Sequence, residues 1–574
     1  MFFDIEVNDK KYQAKKGETI LEALTRNGIS VPTLCKMKDF SSTGACRMCV
    51  VEVEGIENLV PSCSFPINGQ IKIKTHSPRV IKARKTIVEL LLANHPDDCL
   101  YCIKNGNCEL QHLAYDLNIR ERIYFGEKNM HKRDKSSPGI ERDAEKCILC
   151  GRCVRVCEEQ MKVSAIDFIH RGKDVVVETT FRRGLNLSSC INCGQCIIVC
   201  PTGALYERSH IAVVTDALNN QQKYVVAHFA PSVTVSLAEE FGLKPGKDVS
   251  GIISAILKRL GFNAVFETAA GSDFTIMEEV AEFMERKEKE NSLPMFSSCC
   301  PAWVQFVEEF YPEFIPNLST TKSPQQILGK LAKTYYAEIN NIDSKDIFSV
   351  AIMPCTAKKF EIQREEMTQE GISDNDAVLT VREFIRLIKL YGIDVKNIEP
   401  EFADAPFSAK SSAGKLLGVS GGTTESFIRT LHFKLSGKEM DDYKILDSRN
   451  VKGMHIFHIE INKTKFSFAV VNGMETLRQL IAEIKSGTLQ LDYVEVMACE
   501  GGCVNGGGQL INVDEKSIKA RSKGLYDIDD TDMIKVAHKN QIVLELYADY
   551  LDNPLSEKAQ KLLHTSYSKK EVFL

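Results

Sequence analysis

The residues of this chain with the most chemistry to offer are its thiols. Twenty of the 574 residues are cysteine, and most stand at short fixed spacings. Examples are Cys99, Cys102 and Cys108, and the pair Cys499 and Cys503. Scattered single cysteines are ordinarily small buried apolar residues. Thiols repeated every two or three residues are instead metal ligands, since such spacing lets them converge on one centre. Disulfides are disfavoured in a reducing cytosol, and a cytoplasmic protein is expected. The opening Met-Phe-Phe-Asp-Ile-Glu-Val carries Asp4 and Glu6 where an export signal needs a basic and then an apolar run. No apolar stretch approaches the roughly 20 residues of a membrane span. A net charge of -5 gives no footing for nucleic acid. Zinc and iron–sulfur remain as candidates, and spacing with context separates them.

Cys147, Cys150, Cys153 and Cys157 run C-x2-C-x2-C-x3-C, and Cys190, Cys193, Cys196 and Cys200 repeat it, with Pro201 after the last. This resembles the bacterial two-cluster ferredoxins, and zinc does not use it. In those proteins the fourth cysteine of each run serves the other cluster. One 4Fe–4S cluster is then expected on Cys147, Cys150, Cys153 and Cys200, and another on Cys190, Cys193, Cys196 and Cys157. Cys35, Cys46, Cys49 and Cys63 resemble a plant-type 2Fe–2S ferredoxin, although the gap from Cys35 to Cys46 is wider than the plant spacing. His95, Cys99, Cys102 and Cys108 resemble a His-ligated 4Fe–4S site. A lone histidine is usually a hydrogen-bonded surface residue; three cysteines just downstream favour ligation here. A neutral imidazole replacing a thiolate raises the cluster's potential.

The elements that must hold these sites divide the chain into four expected domains. Residues 1–78 read as short strands around one helix, with a hairpin of Phe2–Val7 and Lys11–Ala14 turning at Asn8-Asp9 and a helix over Ile20–Arg26. Residues 79–125 read as mainly helical. Residues 126–208 carry a charged loop to about 146 and then the cysteine repeat. From 209 to 574 apolar strand-like runs alternate with helical ones, an α/β pattern with parallel sheets. Its strands include Tyr224–Phe229, Ala264–Glu267, Met295–Ser297, Phe348–Met353, Phe466–Val471 and Val494–Met497. Its helices include 249–260, 274–286 and 302–310. The fold class expected is multi-domain α+β and α/β.

Five cysteines remain. Cys299 and Cys300 stand in Phe-Ser-Ser-Cys-Cys-Pro-Ala-Trp, Cys355 in Met-Pro-Cys-Thr-Ala-Lys-Lys-Phe-Glu, and Cys499 and Cys503 in Glu-Val-Met-Ala-Cys-Glu-Gly-Gly-Cys-Val-Asn-Gly-Gly-Gly-Gln. Each segment follows an expected buried strand, and open α/β sheets place their sites at the carboxyl ends of strands. Neighbouring side chains in an extended segment point opposite ways, so Cys299 and Cys300 do not both serve one centre. The spacing does not choose between them. The three segments, and the four cluster sites before them, resemble the iron–iron (FeFe) hydrogenases of modular clostridial type over the whole chain.

The resemblance implies a β-grasp 2Fe–2S domain, a small helical His/Cys domain, a two-cluster ferredoxin-like domain and a two-lobed catalytic α/β domain. It implies an H-cluster: a 4Fe–4S cubane joined to a two-iron centre carrying CO, cyanide and azadithiolate. Cys300, Cys355, Cys499 and Cys503 would ligate the cubane, with Cys503 bridging to the two-iron centre. Cys299 would be the free thiol that passes protons. A relay would continue through Glu279, Ser319 and Glu282 to Arg286. On spacing alone Glu279, Glu282 and Arg286 share a helix face that reads as solvated, like the following run 287–290. Lys358 would donate to a cyanide ligand, Pro231 and Ser232 would lie at the cyanide end, Gln325 near the distal iron, and Met353 and Met497 against the two-iron centre.

The implied reaction is reversible reduction of protons to H2, with ferredoxin or flavodoxin as electron partner, maturation proteins to install the two-iron centre, and a monomeric state. A hydrogen sensor or a non-catalytic relative is the alternative, and such relatives lose the proton thiol or parts of the three segments. Three positions depart from the family pattern: Ser297 for Thr, Leu510 for Pro, and Val419-Ser420 for Ala-Thr.

Overall fold

The computed structural model describes residues 1–125, 128, 130–289, 292–449, 451–511 and 513–571. Glu290, the last residue of the charged run, and residues 126, 127 and 129 of the expected loop lie outside them.

The first domain is a five-stranded sheet in the order Lys10–Lys15, Phe2–Val7, Lys72–Lys74, Val50–Val53, Val60–Pro61. Asn8 and Asp9 take φ +48° and +65°, as a two-residue hairpin turn requires. The helix Ile20–Arg26 starts at a capping box: the Thr19 hydroxyl accepts from the Glu22 amide, and the Glu22 carboxylate accepts from the Thr19 amide at 2.9 Å. It buries Ile20, Leu21, Ala23 and Leu24 against the sheet.

Two helices follow, Pro78–Asn94 and Glu109–Asp116, packed side by side. Arg84 is buried on the first and reaches back to the carbonyls of Met48 (3.0 Å) and Val50 (2.8 Å) in the first domain. Beyond them, two short ladders frame the cysteine repeat: Ile140–Arg142 with Leu205–Glu207, and Asp167–Ile169 with Val176–Glu178. Strand Ile140–Arg142 lies where the sequence reads as charged loop. Its triplet Ile-Glu-Arg has one apolar residue, and its pairing partner is far away in sequence, so no local signal marked it.

The remaining chain builds two four-stranded sheets. The first is parallel throughout, in the order Ala264–Glu267, Tyr224–Phe229, Ile347–Met353, Ala377–Thr380. Its strands are buried on both faces, which explains their unbroken apolar runs. The second runs Met295–Phe296, Tyr493–Met497, Thr464–Asn472, Met454–Ile461. Its last pair is antiparallel, which corrects the expectation of purely parallel sheets. The edge strand is half exposed and alternates, and its turn is Asn462-Lys463 with both φ positive, a hairpin without the usual glycine.

Helix Thr268–Glu288 is buried along most of its length, and its Ala270, Phe274, Met277, Val280 and Phe283 belong to one core with residues of both sheets. It starts six residues before the expected 274–286. The added turn Thr-Ala-Ala-Gly-Ser-Asp has little periodicity, and Gly271 lets it touch the Pro324 carbonyl, which a Cβ would meet at 2.5 Å.

Candidate functional site

The cysteine runs form two enclosed apolar cavities. One is lined by Cys157, Cys190, Cys193 and Cys196, with Val156, Met161, Ile166 and Leu205 among its walls. The other is lined by Cys147, Cys150, Cys153 and Cys200. Each cavity therefore takes three cysteines from one run and the fourth from the other. Burial pushes the Cys147 thiol up to about 11 and Cys190 up to about 12. Thiols so placed stay neutral unless a bound cation draws the proton off, so the donor set fits an iron cluster with apolar walls. In the first domain the thiols sit as two pairs, Cys35 with Cys46 and Cys49 with Cys63, and within each pair the partner thiol is the strongest influence on the other's proton. Two thiols for each of two irons suits a 2Fe–2S centre. His95 ends the helix Pro78–Asn94, and burial lowers its pKa, leaving the neutral imidazole that a ligand must be. Cys108 is buried and Cys99 exposed.

These sites touch in a definite order. Arg155, midway between Cys153 and Cys157, donates to the carbonyls of Cys35 and of Ser41 (2.6 Å), and Ile148, next to Cys147, packs against the same apolar cluster as Cys46. Arg152 makes a bidentate pair with Glu109, next to Cys108, at 2.6 and 2.9 Å. Cys102 Sγ lies so near Gly203 that a Cβ there would meet it at 2.6 Å. The Cys147 set thus adjoins both outer sites. The Cys190 set adjoins the catalytic domain: Thr356 Oγ1 donates to the Asn192 carbonyl at 2.6 Å, and Gly507 admits no Cβ, which would meet the Cys193 carbonyl at 2.1 Å.

The five catalytic-domain cysteines come from three places. Cys299 and Cys300 follow strand Met295–Phe296, Cys355 follows Ile347–Met353, and Cys499 and Cys503 follow Tyr493–Met497. Cys300 caps helix Pro301–Phe310. All five keep some accessible surface, and Cys299, Cys355, Cys499 and Cys503 lie deep in the protein. Burial pushes Cys355 up to about 12 and Cys499 and Cys503 well above the usual thiol value.

Two buried polar atoms expected near the two-iron centre have no partner among the described residues: Ser232 Oγ and Gln325 Oε1. Orphaned groups of this kind fit a polar guest. Ser232 and Pro231 open the short helix Pro231–Ser236. Met353 is part of the packed core of the first sheet, and Met497 is equally buried at the end of its strand. Lys358 Nζ donates to Glu361 Oε2 (2.9 Å), Ser323 Oγ (2.8 Å) and the Cys299 carbonyl (3.3 Å). Burial pulls its pKa down, but Glu361 and Cys355 outweigh that and hold it raised. Glu361 and Ser323 were not legible as its partners. Glu361 lies only three residues along, but nothing in the sequence marks either as buried.

The residues expected to relay protons lie along the buried helix Thr268–Glu288 and the segments packed on it. Glu279 and Glu282 are buried, which overturns the solvated-face reading that spacing alone favoured. Glu279 accepts from Ser297 Oγ (3.1 Å) and Tyr493 OH (2.9 Å). Burial raises its pKa to about 7; Tyr493 and Ser297 pull the other way. Cys299 stands two residues further on, and burial with the nearby Glu279 charge pushes its thiol up to about 12. The departure from the family's Thr keeps a hydroxyl, and that hydroxyl bonds Glu279. Ser319 Oγ donates to Glu282 Oε2 (2.8 Å), Arg286 Nη2 to Glu282 Oε1 (2.6 Å), and the Thr320 hydroxyl to the same oxygen (3.1 Å). Among the described residues no direct hydrogen bond joins Glu279 to Ser319. Glu282, Arg286 and His564 line an open surface cavity. Tyr493 and Thr320 were missed because the first reads as core strand and the second as loop.

Fold and sites together define a multi-centre iron–sulfur oxidoreductase. Residues 223–507 match the family described as iron only hydrogenase large subunit, C-terminal domain, and residues 514–570 the iron hydrogenase small subunit. Residues 3–78 match a 2Fe-2S iron-sulfur cluster binding domain, 84–122 the NADH-ubiquinone oxidoreductase-G iron-sulfur binding region, and 146–204 a 4Fe-4S dicluster domain. The chain is 40% identical to the NADP-reducing hydrogenase subunit HndD of Solidesulfovibrio fructosivorans, across 99% of each chain. It is 37% identical to iron hydrogenase 1 of Clostridium pasteurianum, across 98% of this chain and 100% of that one. A solved structure of the [FeFe]-hydrogenase HydA1 from Chlamydomonas reinhardtii, variant E141Q, is 32% identical with a TM-score of 0.58, covering 64% of this chain and all of that one. The chain belongs to the iron–iron (FeFe) hydrogenase family. Among the described residues no helix is long and apolar enough to cross a membrane.

Proposed function

We propose that the protein catalyses reversible reduction of protons to H2, with reduced ferredoxin or flavodoxin as electron partner. Its cofactors are one 2Fe–2S cluster on Cys35, Cys46, Cys49 and Cys63, three accessory 4Fe–4S clusters, and an H-cluster held by Cys300, Cys355, Cys499 and Cys503. The H-cluster supplies the electrons and the iron on which hydrogen is made or split. The chain's own residues supply binding, exclusion of water and proton delivery. His95 with Cys99, Cys102 and Cys108 forms one outer inlet and the 2Fe–2S domain the other, and both converge on the Cys147 set. The Cys190 set, which abuts the catalytic loop, would hold the last electron carrier before it. Maturation proteins would install the two-iron centre.

The observation that carries this reading is the juxtaposition of Cys299, Ser297 and Glu279 beside the cysteines of three strand ends. Cys299 holds the proton at Sγ, Ser297 two residues before it bonds Glu279 through Oγ, and Glu279 has a pKa of about 7, at which it gains and loses a proton near neutrality. Glu282, fixed by Ser319, Thr320 and Arg286, meets the surface. A sensor or non-catalytic relative would need none of this. The test is infrared spectroscopy of the matured protein together with a hydrogen-evolution assay. CO and cyanide bands with turnover are expected; their absence after competent maturation sinks the reading.

A further inference from the structure

Gln195 lies between Cys193 and Cys196, two of the cysteines around the innermost accessory cavity. Gly194 before it takes φ +76°, which starts the short helix Gln195–Val199 and turns the Gln195 side chain away from its own cavity. The side chain is buried, and its amide nitrogen makes two contacts across the domain boundary. It donates to Cys499 Sγ at 3.1 Å and to the Asn505 carbonyl at 3.0 Å. Both hydrogens of the amide are thereby used, which fixes its orientation. The approach is built in from both sides. A Cβ on Gly194 would meet Thr356 Oγ1 at 2.5 Å and Gly507 Cα at 3.2 Å, so only glycine lets the two loops close.

We infer that Gln195 is a positioning residue that raises the reduction potential of the catalytic cubane through its hydrogen bond to Cys499, and so sets the direction in which electrons run between it and the innermost accessory cluster. This rests on the proposed ligand role of Cys499. Reduction adds negative charge to a cluster and its sulfurs, and an N–H aimed at a ligand sulfur stabilises that charge. Such a bond is worth about 1 kcal/mol net, or roughly a fivefold change in the electron-transfer equilibrium. At 59 mV per decade for one electron this is about 40 mV. The side chain belongs to the loop that holds the donor cluster, so one residue both tunes the acceptor and fixes the gap between the two.

The test uses the full chain carrying its iron–sulfur clusters, as parent, Gln195→Leu and Gln195→Glu, with potentials read by redox titration under EPR and infrared detection. The expected order of cubane potential is parent, then Leu about 40 mV lower, then Glu lower again because a carboxylate adds charge where the donor was. The potential of the outer 2Fe–2S cluster is expected to stay put. If Leu does not fold, Glu has the shape of Gln and carries the same comparison. Cubane potentials indistinguishable from the parent's in the folded variants overturn the inference, as does a rise. A parent in which no cubane signal depends on Cys499 overturns the hydrogenase ligand scheme itself, a separate outcome.

Discussion

In residues 1–208 each cysteine set is gathered from one run or two, framed by short ladders and single turns. Between residues 223 and 507 the cysteines arrive singly or in pairs from the ends of three strands in two different sheets. The first kind of site is written in local spacing, and its framework need only hold neighbours in place. The second exists only once two sheets and the helix Thr268–Glu288 have packed together. The two regions also differ in their buried charge. The catalytic domain contains Glu279 at about 7, and ion pairs such as Lys359–Glu383 and Lys322–Asp374 with both partners fully buried. The accessory domains hold cations that reach out to bridge domains, Arg84 and Arg155 among them. Electron transfer tolerates a modular build; proton delivery needs carboxyls whose pKa values the surrounding core must set.

The largest effect expected on this contrast is at Cys299. Cys299→Ser should lower hydrogen evolution by at least about 100-fold, the scale of a lost general acid. The infrared bands of the two-iron centre should be retained, since this thiol is proposed as a proton carrier and not as a ligand. Unimpaired turnover would end the proposed division between ligand and proton thiols. Next is the crossed pairing in the accessory region. Cys200→Ala should remove the EPR signal of the cluster on Cys147, Cys150 and Cys153 and leave the Cys190 cluster, while Cys157→Ala does the reverse. Losing the Cys190 cluster on changing Cys200 would show that the two runs do not exchange their fourth cysteine.

A smaller effect is expected at Tyr493, whose hydroxyl lowers the Glu279 pKa. Tyr493→Phe removes about 1 kcal/mol of hydrogen bonding, under one pH unit. The limb of the pH–rate profile near 7 should therefore move upward by that amount. The stability consequence has a definite sign. Glu279 binds its proton more tightly folded than unfolded, so its contribution is full below about pH 4.5, declines up to about pH 7, and is flat above. In the variant the decline should extend to higher pH. An unmoved profile would mean that another group limits proton delivery.

Legibility followed the same contrast. The hairpin at Asn8-Asp9, the helix Ile20–Arg26 and the cysteine repeat are local patterns, and the structure reproduces them nearly residue for residue. Strand Ile140–Arg142 and the edge strand Met454–Ile461 were not legible, because distant pairing in one case and a glycine-free turn in the other left no local mark. At the catalytic site the cysteines were visible through their motifs. The surroundings that give them function were not: Tyr493 reads as an ordinary strand residue, Gln195 as a spacer between ligands, and Glu361 as a surface carboxylate. Each acquires its role from a contact with a residue remote in sequence or hidden by burial.

The smallest expected effect is at Thr19, read against the same motif in the other region. Thr19–Glu22 and Thr380–Glu383 are both capping boxes at the start of a helix. The first is largely exposed; the second is fully buried, and its Glu383 also pairs with Lys359 and accepts from the His210 amide. Thr19→Ala exchanges a hydroxyl for water and should cost about 0.5–1 kcal/mol. Thr380→Ala leaves buried polar groups unpaired and should cost about 2 kcal/mol. A multi-domain chain does not unfold in one step, so the readout is local hydrogen exchange at the capped amides. Protection at Glu22 should fall about threefold and at Glu383 about thirtyfold, from RT of about 0.6 kcal/mol. Equal losses would mean that the catalytic domain's buried polar groups are no more tightly coupled than those of the accessory domain, and the contrast between the two regions would then rest on the cysteines alone.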